Sequence, residues 1–351
     1  AFPTETVYGL GANALDAAAV RRIFAAKGRP SYNPLIAHVS DIAAARALVS
    51  EWPPIAQALA ERFWPGPLTL VLRKRAMVPD EVTAGRDCVA VRVPAHPVAL
   101  ALLAAAGVPL AAPSANRFTE LSPVTAAQVA RSLGEGVDLI LDGGRTDVGI
   151  ESSVVDLSVS PPVLLRPGTI TRAEIEAITG PLGEVAEPET GDAPRAAPGM
   201  IARHYAPRAR VRLVTGAGME MAMREAASGA KSLAERPSRA PSGLRVAALT
   251  WSGRDFPSGA DLALHHRLPM QAAAYAAELY DTLHAIDDAG CTEVLVELPP
   301  EDRSWDGVRD RLTRAAPQIA HRALVHIAQV NPLKTLPAKV HLVQRRLLEI
   351  Q

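Results

Sequence analysis

The segment from position 26 to position 39 reads Ala26-Lys27-Gly28-Arg29-Pro30-Ser31-Tyr32-Asn33-Pro34-Leu35-Ile36-Ala37-His38-Val39. Before it, residues 15–28 place apolar side chains at helical spacing and end in glycine, which suits a helix C-terminus. After the loop, residues 34–39 form a short apolar run that predicts a strand. The segment therefore predicts a helix joined to a buried strand by a loop that carries two basic side chains.

Strands and helices alternate in the same way along the rest of the first half. Further strands are predicted at residues 68–72, 89–93, 110–112, 139–141, 153–157 and 163–166. Further helices are predicted after Asp41 and at residues 54–63, 97–106 and 125–133. This interleaving predicts an α/β fold with a twisted mixed sheet and flanking helices.

The character of the sequence changes near residue 180. Residues 180–207 are rich in Pro, Gly, Glu and Ala and have no periodicity, which is typical of a linker. Beyond them, strands are predicted at 210–214, 246–249 and 293–297, and helices at 218–227, 271–289 and 307–316. This pattern indicates a smaller Rossmann-like α/β domain, although no GxGxxG fingerprint is present. We predict a first domain at 1–182, a linker at 183–208, a second domain at 209–316 and a basic tail of unassigned role at 317–351.

Composition excludes several classes of function. The 351 residues carry 37 basic and 37 acidic side chains, so a non-specific nucleic-acid binder, which needs a basic excess, is disfavoured. An RNA contact would be weak and would need a local patch, such as Arg73-Lys74-Arg75. Cys88 and Cys291 lie far apart without metal-binding spacing, which argues against a zinc site or a disulfide framework and favours the cytoplasm. No apolar stretch is long enough to span a bilayer, so no membrane association is predicted.

Lys27 and Arg29 are the first candidate binding residues. Lys is rare, with five among 37 basic residues, and here one stands two positions from an Arg. A compact ammonium beside a planar guanidinium suits a polyphosphate. Ser114 and Asn116 offer a hydroxyl and a carboxamide at the same spacing. The alternative for the basic pair is a solvated helix end, where cations favour the helix dipole.

Arg92 and His38 are candidates because each adjoins a predicted strand. Arg92 stands among valines, where a charge is buried only when it is paired, or else points to solvent from a half-exposed strand. His38 follows three apolar residues and is either a core side chain or a ligand. Neither a GxSxG elbow nor a Walker A motif is present, which disfavours a serine hydrolase and a P-loop.

Seven short motifs occur in a fixed order: Pro-Thr-Glu-Thr-Val-Tyr-Gly-Leu-Gly (3–11), Ala-Lys-Gly-Arg-Pro (26–30), Asn-Pro-Leu-Ile-Ala-His-Val (33–39), Trp-Pro-Gly-Pro-Leu-Thr (64–69), Val-Arg-Val-Pro (91–94), Ala-Pro-Ser-Ala-Asn (112–116) and Glu-Ser-Ser-Val-Val-Asp (151–156). Together they closely resemble the YrdC-type threonylcarbamoyl-AMP synthases. The segment Pro-Gly-Met-Ile-Ala-Arg-His-Tyr-Ala-Pro (198–207) and the second domain resemble the two-domain branch of that family. The resemblance implies a YrdC-like catalytic domain, preceded in the family by a helix and a strand that would lie before Ala1.

The resemblance also implies a reaction. L-threonine, bicarbonate or carbon dioxide, and ATP with Mg²⁺ would give threonylcarbamoyl-AMP and pyrophosphate. The product would then be used by tRNA threonylcarbamoyl transferase proteins to modify the adenosine beside the anticodon. Positioning and charge stabilisation would dominate such a phosphoryl-transfer step.

Site residues follow from the same resemblance, motif by motif. Catalytic roles are implied for Lys27, Arg29, Ser114 and Asn116. The implied ATP site comprises Lys27, Arg29, Asn33, Cys88, Ser114, Asn116, Ser122, Arg166 and Tyr205, with Ser31 nearby. The implied threonine pocket comprises Thr6, His38, Arg92, Ala112 and Ser152, with Arg92 on the substrate carboxylate. Tyr205 would act as a lid, and no metal ligand on the protein is implied.

Two other functions stay open on the sequence alone. One is a module that binds or senses double-stranded RNA without turning over ATP, for which the charge balance is unfavourable. The other is a related carbamoyl-adenylate transferase that serves protein maturation. The chain lacks the zinc-finger and acylphosphatase-like segments that such a transferase would carry.

Overall fold

The computed structural model describes residues 1–185, 204–225, 245–253 and 262–316. In these ranges the chain forms two β-sheets. The first sheet consists of β1 (Ala12–Asn13), β2 (Ile36–His38), β3 (Leu68–Arg73), β4 (Cys88–Arg92), β5 (Leu110–Ala111), β6 (Ser153–Asp156) and β7 (Val163–Arg166). Its spatial order is β1-β5-β2-β4-β3-β6-β7. The β2/β4 and β3/β6 pairs are parallel and the other pairs antiparallel, so the predicted mixed sheet is confirmed.

Seven helices accompany the first sheet in the described part of the chain. They are α1 (Ala17–Lys27), α2 (Ile42–Leu48), α3 (Pro54–Phe63), α4 (Asp80–Thr83), α5 (Pro97–Ala106), α6 (Ala126–Leu133) and α7 (Arg172–Thr179). Helix α1 begins where the Asp16 carboxylate accepts the N–H groups of Ala18 and Ala19. It ends at Gly28, whose φ of 60° is the left-handed conformation that glycine adopts without strain. The predicted helix boundary before the basic loop is therefore confirmed.

The two faces of the first sheet have different neighbours. On β4, Val89 and Val91 pack into the main apolar core together with Ala37 of β2. Successive side chains of a strand point to opposite faces, so Ala90 and Arg92 lie on the other face. That second face carries a small apolar cluster and, at the C-terminal ends of β2 and β4, a polar cavity. The alternation therefore determines which side chains can reach a ligand.

The second sheet is wholly parallel. It consists of β8 (Arg210–Val214), β9 (Val246–Thr250), β10 (Leu264–Arg267) and β11 (Glu293–Glu297), in the order β10-β9-β11-β8. Helices α8 (Ala272–Asp288) and α9 (Asp306–Ala315) share one apolar cluster with this sheet, and further helical residues begin at 219. The predicted Rossmann-like α/β character of this region is confirmed.

The strand predictions were wrong at residues 139–141 and omitted two strands, β1 and β10. Residues 139–141 are not a strand, and Leu139 is 63% exposed. Conversely, the polar segment Leu264–Arg267 forms the edge strand β10 although no strand was predicted there. Most of the predicted linker (residues 186–203) and the whole predicted tail (317–351) lie outside the described residues. Within the described part, no helix combines the length and the apolar character needed to cross a membrane.

The Arg73-Lys74-Arg75 cluster does not present three open cations. Lys74 donates to Asp80 and to the carbonyl of Val78, and Arg75 donates to a backbone carbonyl 2.8 Å away. The Lys74–Asp80 ion pair reduces the positive field that this cluster offers to an RNA backbone. This segment therefore gives no support to the RNA-binding alternative.

Candidate functional site

A cavity opens on the second face of the first sheet. It is lined by Thr4, Thr6, Val7, Gly9, Arg29, Ile36, His38, Arg92, Ala112, Pro113, Ser114, Glu151, Arg166, His204 and Tyr205. Eight of the residues singled out from the sequence are among them: Thr6, Arg29, His38, Arg92, Ala112, Ser114, Arg166 and Tyr205. Segments far apart in the sequence therefore meet around one space.

The charges around this cavity are unbalanced. Of the described residues that line it, three are arginines, at positions 29, 92 and 166, and one is a carboxylate, Glu151. All three arginines are at least nine-tenths buried. Buried guanidinium groups in excess of carboxylates favour an anionic ligand, because such a ligand supplies the missing counter-charge.

Arg29 is held by backbone groups alone. Its Nε donates to the Asn33 carbonyl at 3.2 Å and its Nη2 to the Pro34 carbonyl at 2.9 Å. Burial lowers the pKa of Arg29 to about 9, so the group stays cationic at neutral pH. Both polar atoms of the Asn33 side chain, Oδ1 and Nδ2, are buried without a hydrogen-bond partner. An unsatisfied buried carboxamide is costly, and a polar ligand would satisfy it.

Lys27 lies behind the cavity and not on its surface. Its Nζ donates to the backbone carbonyls of Ser114 and Asn116, at 2.5 Å each. Burial, and then the charge of Arg29, hold the pKa of Lys27 well below its usual value. The Asn116 amide donates to two loop carbonyls, while its Oδ1 has no partner. The Lys and the Ser-x-Asn segment are thus joined directly, although contact of Lys27 with a ligand stays a prediction.

Arg92 is buried and paired, so the solvent-facing alternative is wrong. Its Nη2 donates to Glu5, its Nη1 to Thr6 Oγ1 at 3.0 Å and its Nε to the Gly66 carbonyl at 3.1 Å. A guanidinium has five N–H groups, so two remain for a ligand. His38 is buried next to it, and burial, followed by the Arg92 charge, lowers the pKa of His38 to about 3. His38 is therefore neutral at physiological pH.

Two further predicted residues, Ser122 and Ser152, lie beneath the cavity surface, and a third, Cys88, lies away from it. Arg166 donates to the carbonyl of Ser152 at 3.0 Å and to its Oγ at 3.2 Å. Ser122 Oγ donates to Glu151 at 2.5 Å. Cys88, at the opposite end of β4 from Arg92, packs against the apolar cluster of the same face and does not line the cavity. The structure thus brings Ser122 and Ser152 to the site through their partners, but not Cys88.

Tyr205 and His204 close one side of the cavity. Tyr205 is 1% exposed, and its ring lies 4.0 Å from the His204 ring, measured between centroids. It also contacts Tyr280 of the second domain, with ring centroids 6.0 Å apart. Burial, and then Arg29, lower the pKa of His204 to about 3. A neutral His204 and the Tyr205 ring, which packs against Tyr280, therefore form one side of the cavity.

Sequence reasoning missed the partner of Glu151. Arg311 of α9 donates from Nε to Glu151 Oε2 at 2.7 Å. Burial opposes ionisation of Glu151, but Arg311 and Arg166, with the Ser122 hydroxyl, outweigh it and lower its pKa to about 2. A signal was present in the sequence: Arg311 occupies the buried stripe of α9 with Val308 and Leu312, where a charge needs a partner.

Two family models match successive parts of the chain. The family model described as "Telomere recombination" (Sua5/yciO/yrdC) matches residues 1–168, and the model described as "Threonylcarbamoyl-AMP synthase, C-terminal domain" matches residues 170–317. The threonylcarbamoyl-AMP synthase of Bacillus subtilis is 40% identical over 319 residues, which cover 90% of this chain and 88% of that protein.

The chain belongs to the threonylcarbamoyl-AMP synthase family. The resemblance drawn from the sequence motifs is therefore confirmed. Another threonylcarbamoyl-AMP synthase, from Pyrococcus abyssi, is 52% identical over 218 residues, which cover 62% of this chain and 64% of that protein. Two solved structures of P. abyssi Sua5, a variant and a complex with L-threonine, match with TM-scores of 0.78 and 0.76 at 40% identity. Each match covers 90% of this chain. It covers 88% of the chain in the variant structure and 89% of the chain in the threonine complex.

Proposed function

We propose that this protein is an L-threonylcarbamoyladenylate synthase. It would convert L-threonine, bicarbonate or carbon dioxide, and ATP into threonylcarbamoyl-AMP and pyrophosphate. The observation that carries the proposal is the convergence of Arg29, Arg92 and Arg166 on one buried cavity with a single carboxylate among its described lining residues. The substrates bring both a triphosphate and an amino-acid carboxylate, which need such a cluster of cations.

Different arginines of the cavity would bind the two larger substrates, ATP and L-threonine. Arg29 and Arg166 would hold the ATP phosphates, with the unpaired Asn33 carboxamide beside them. The two remaining N–H groups of Arg92 would hold the threonine carboxylate. Thr6 and the neutral His38 border the same part of the cavity and would contact the amine or hydroxyl of threonine.

Positioning and charge account for the chemistry. The threonine amine attacks carbon dioxide and loses a proton, which gives a carbamate. A carbamate oxygen then bonds to the α-phosphorus while the bond to the β-phosphate oxygen breaks, and pyrophosphate leaves with the electron pair. The buried guanidinium groups would stabilise charge on the phosphates during this transfer. Tyr205 would exclude water, which would otherwise destroy the carbamate.

Mg²⁺ would enter with ATP as part of the substrate. The phosphates supply oxygen ligands of the kind that Mg²⁺ prefers, and it commonly retains several waters. The cavity's donor set, three guanidinium groups against a carboxylate already bonded to Arg311, fits a metal held by phosphates. The product would pass to a tRNA threonylcarbamoyl transferase in the cytoplasm, with RNA contact at most weak.

The test is pyrophosphate release from ATP, coupled to mass-spectrometric detection of threonylcarbamoyl-AMP. We expect release to need both L-threonine and bicarbonate. Serine in place of threonine serves as the matched control and should give little product. Equal turnover with serine, or with no amino acid, would refute the proposal.

A further inference from the structure

Arg311 connects the second domain to the cavity through several groups at once. It is a fully buried side chain, 1% exposed, on helix α9. Its Nη2 donates to the Glu151 backbone carbonyl at 3.1 Å and its Nη1 to the Pro167 carbonyl at 2.9 Å. Its guanidinium carbon also lies 5.2 Å from the centroid of the Tyr205 ring. One side chain thus contacts three segments that border the cavity.

Both oxygens of the Glu151 carboxylate accept hydrogen bonds. Its Oε2 accepts from Arg311 at 2.7 Å and from the Tyr280 hydroxyl at 3.1 Å. Its Oε1 accepts from the Ser122 hydroxyl at 2.5 Å. Arg311 and Tyr280 both belong to the second domain, so that domain supplies most of the donors to a carboxylate that lines the cavity.

Close backbone contacts fix this arrangement. A Cβ on Gly307 of α9 would lie 2.7 Å from the Gly168 carbonyl oxygen. A Cβ on Gly149 would lie 2.4 Å from the Ala276 carbonyl oxygen of α8. Contacts this tight leave no room for side chains, so the loops that carry Glu151 and Arg166 are held against the two helices.

We propose that Arg311 is a positioning residue for ATP: it neutralises Glu151 so that this carboxylate does not compete with the triphosphate for Arg29 and Arg166. The inference rests on the proposed function. Without Arg311, Glu151 keeps only hydroxyl donors and faces Arg166, which lines the same cavity. An uncompensated negative charge in a buried site would repel the phosphates and pair with the cations meant for them. Threonine, held by Arg92 with its own partner Glu5, would be much less affected.

The experiment uses the full chain and four variants: Arg311→Gln, Arg311→Lys, Glu151→Gln, and the double variant Arg311→Gln/Glu151→Gln. KM for ATP and KM for threonine are each measured by pyrophosphate release, and MgATP binding is measured by calorimetry. We expect Arg311→Gln to raise KM for ATP roughly 10- to 100-fold, with KM for threonine changed less than about threefold. The double variant should regain most of the ATP affinity, because no buried charge is left unpaired. Arg311→Lys should keep ATP affinity, because the charge is kept.

Each outcome is decisive. A purely structural role for Arg311 would change both KM values together, and Glu151→Gln would not restore ATP affinity. If Arg311→Gln does not fold, Glu151→Gln alone decides: its ATP affinity should be equal to or higher than wild type, and a tenfold loss overturns the proposal. A wild-type protein without threonine-dependent turnover would refute the proposed function instead, and calorimetry would still report ATP binding in every variant.

Discussion

Arg29 and Arg311 are both buried guanidinium groups beside the same cavity, but their partners differ. Arg29 donates only to the carbonyls of Asn33 and Pro34. Arg311 is paired with two carboxylates, those of Glu151 and Asp310. The charge of Arg29 is thus left for a ligand, whereas the charge of Arg311 is already compensated within the protein. Burial alone therefore does not distinguish these two residues: a buried guanidinium can bind a ligand where its charge or some of its N–H groups remain unused.

The largest effect on stability is expected at Arg311. Arg311→Met leaves the buried Glu151 carboxylate without a cation, so the free energy of unfolding should fall by about 3–5 kcal/mol. Urea denaturation would measure this. Arg311→Met/Glu151→Gln should lose clearly less, because no unpaired charge remains. An equal loss in both variants would show that the pair contributes nothing beyond packing.

A substitution of Lys27 tests the importance of the polar groups next to Arg29, on the cavity side of the first domain. Lys27→Ala should lower kcat/KM by a factor equivalent to about 2–4 kcal/mol of transition-state stabilisation, because the hydrogen bonds from Nζ to the carbonyls of Ser114 and Asn116 are lost. Lys74→Ala is the matched control, since Lys74 is also paired but lies away from the cavity. A wild-type rate in Lys27→Ala would remove this residue from the mechanism.

Gly307 tests how closely the two domains must approach. Alanine is the better helix former, so Gly307→Ala in α9 would ordinarily stabilise the helix. Here the added Cβ would lie 2.7 Å from the Gly168 carbonyl oxygen, and we expect a net loss of about 1–3 kcal/mol in thermal unfolding. Gly136→Ala, whose Cβ would have its nearest neighbour at 3.9 Å, is the control and should be tolerated.

The buried histidines predict a weaker effect that depends on pH. Burial lowers the pKa of His204 from 6.5 to about 3, so the unfolded chain binds a proton that the folded one does not between these values. Stability should therefore fall as the pH drops from 6.5 towards 3, by at most about 1.4 kcal/mol per pH unit for this residue. Comparing unfolding of His204→Gln with wild type at pH 7 and pH 5 isolates the contribution. An unchanged difference between them would contradict the buried, neutral state.

The local sequence pattern predicted most of the helices and strands. One of the strands that it missed, β10, depends on pairing with another strand. Helices 54–63 and 97–106 and strand 163–166 match the observed bounds, because their apolar spacing and flanking turns are local signals. Strand β10 was missed because Leu264-His265-His266-Arg267 is polar and, among the described residues, pairs only with β9. The strand predicted at residues 139–141 was wrong because a pattern of three residues is too short to identify a strand.

The same distinction applies to the site. Motif resemblance indicated eight of the fifteen residues that line the cavity, since those motifs keep fixed residue types at fixed spacing. It could not give the pairing of Glu151 with Arg311, because the partners lie 160 residues apart and meet only after both domains have folded. Glu5 and Glu151 are each bonded to a different arginine, Arg92 and Arg311, which the motifs did not indicate either.

Tyr280 and Arg311 of the second domain contact Tyr205 and Glu151 beside the cavity, and this has a consequence for protein engineering. A shortened protein that ends before residue 204 would not be a smaller copy of the same catalyst, because it would expose Glu151 without its counter-ion and lack an aromatic wall. A different second domain grafted onto the first would have to compensate the Glu151 charge, which Arg311 and Tyr280 do here. The two halves are thus complementary parts and not interchangeable modules.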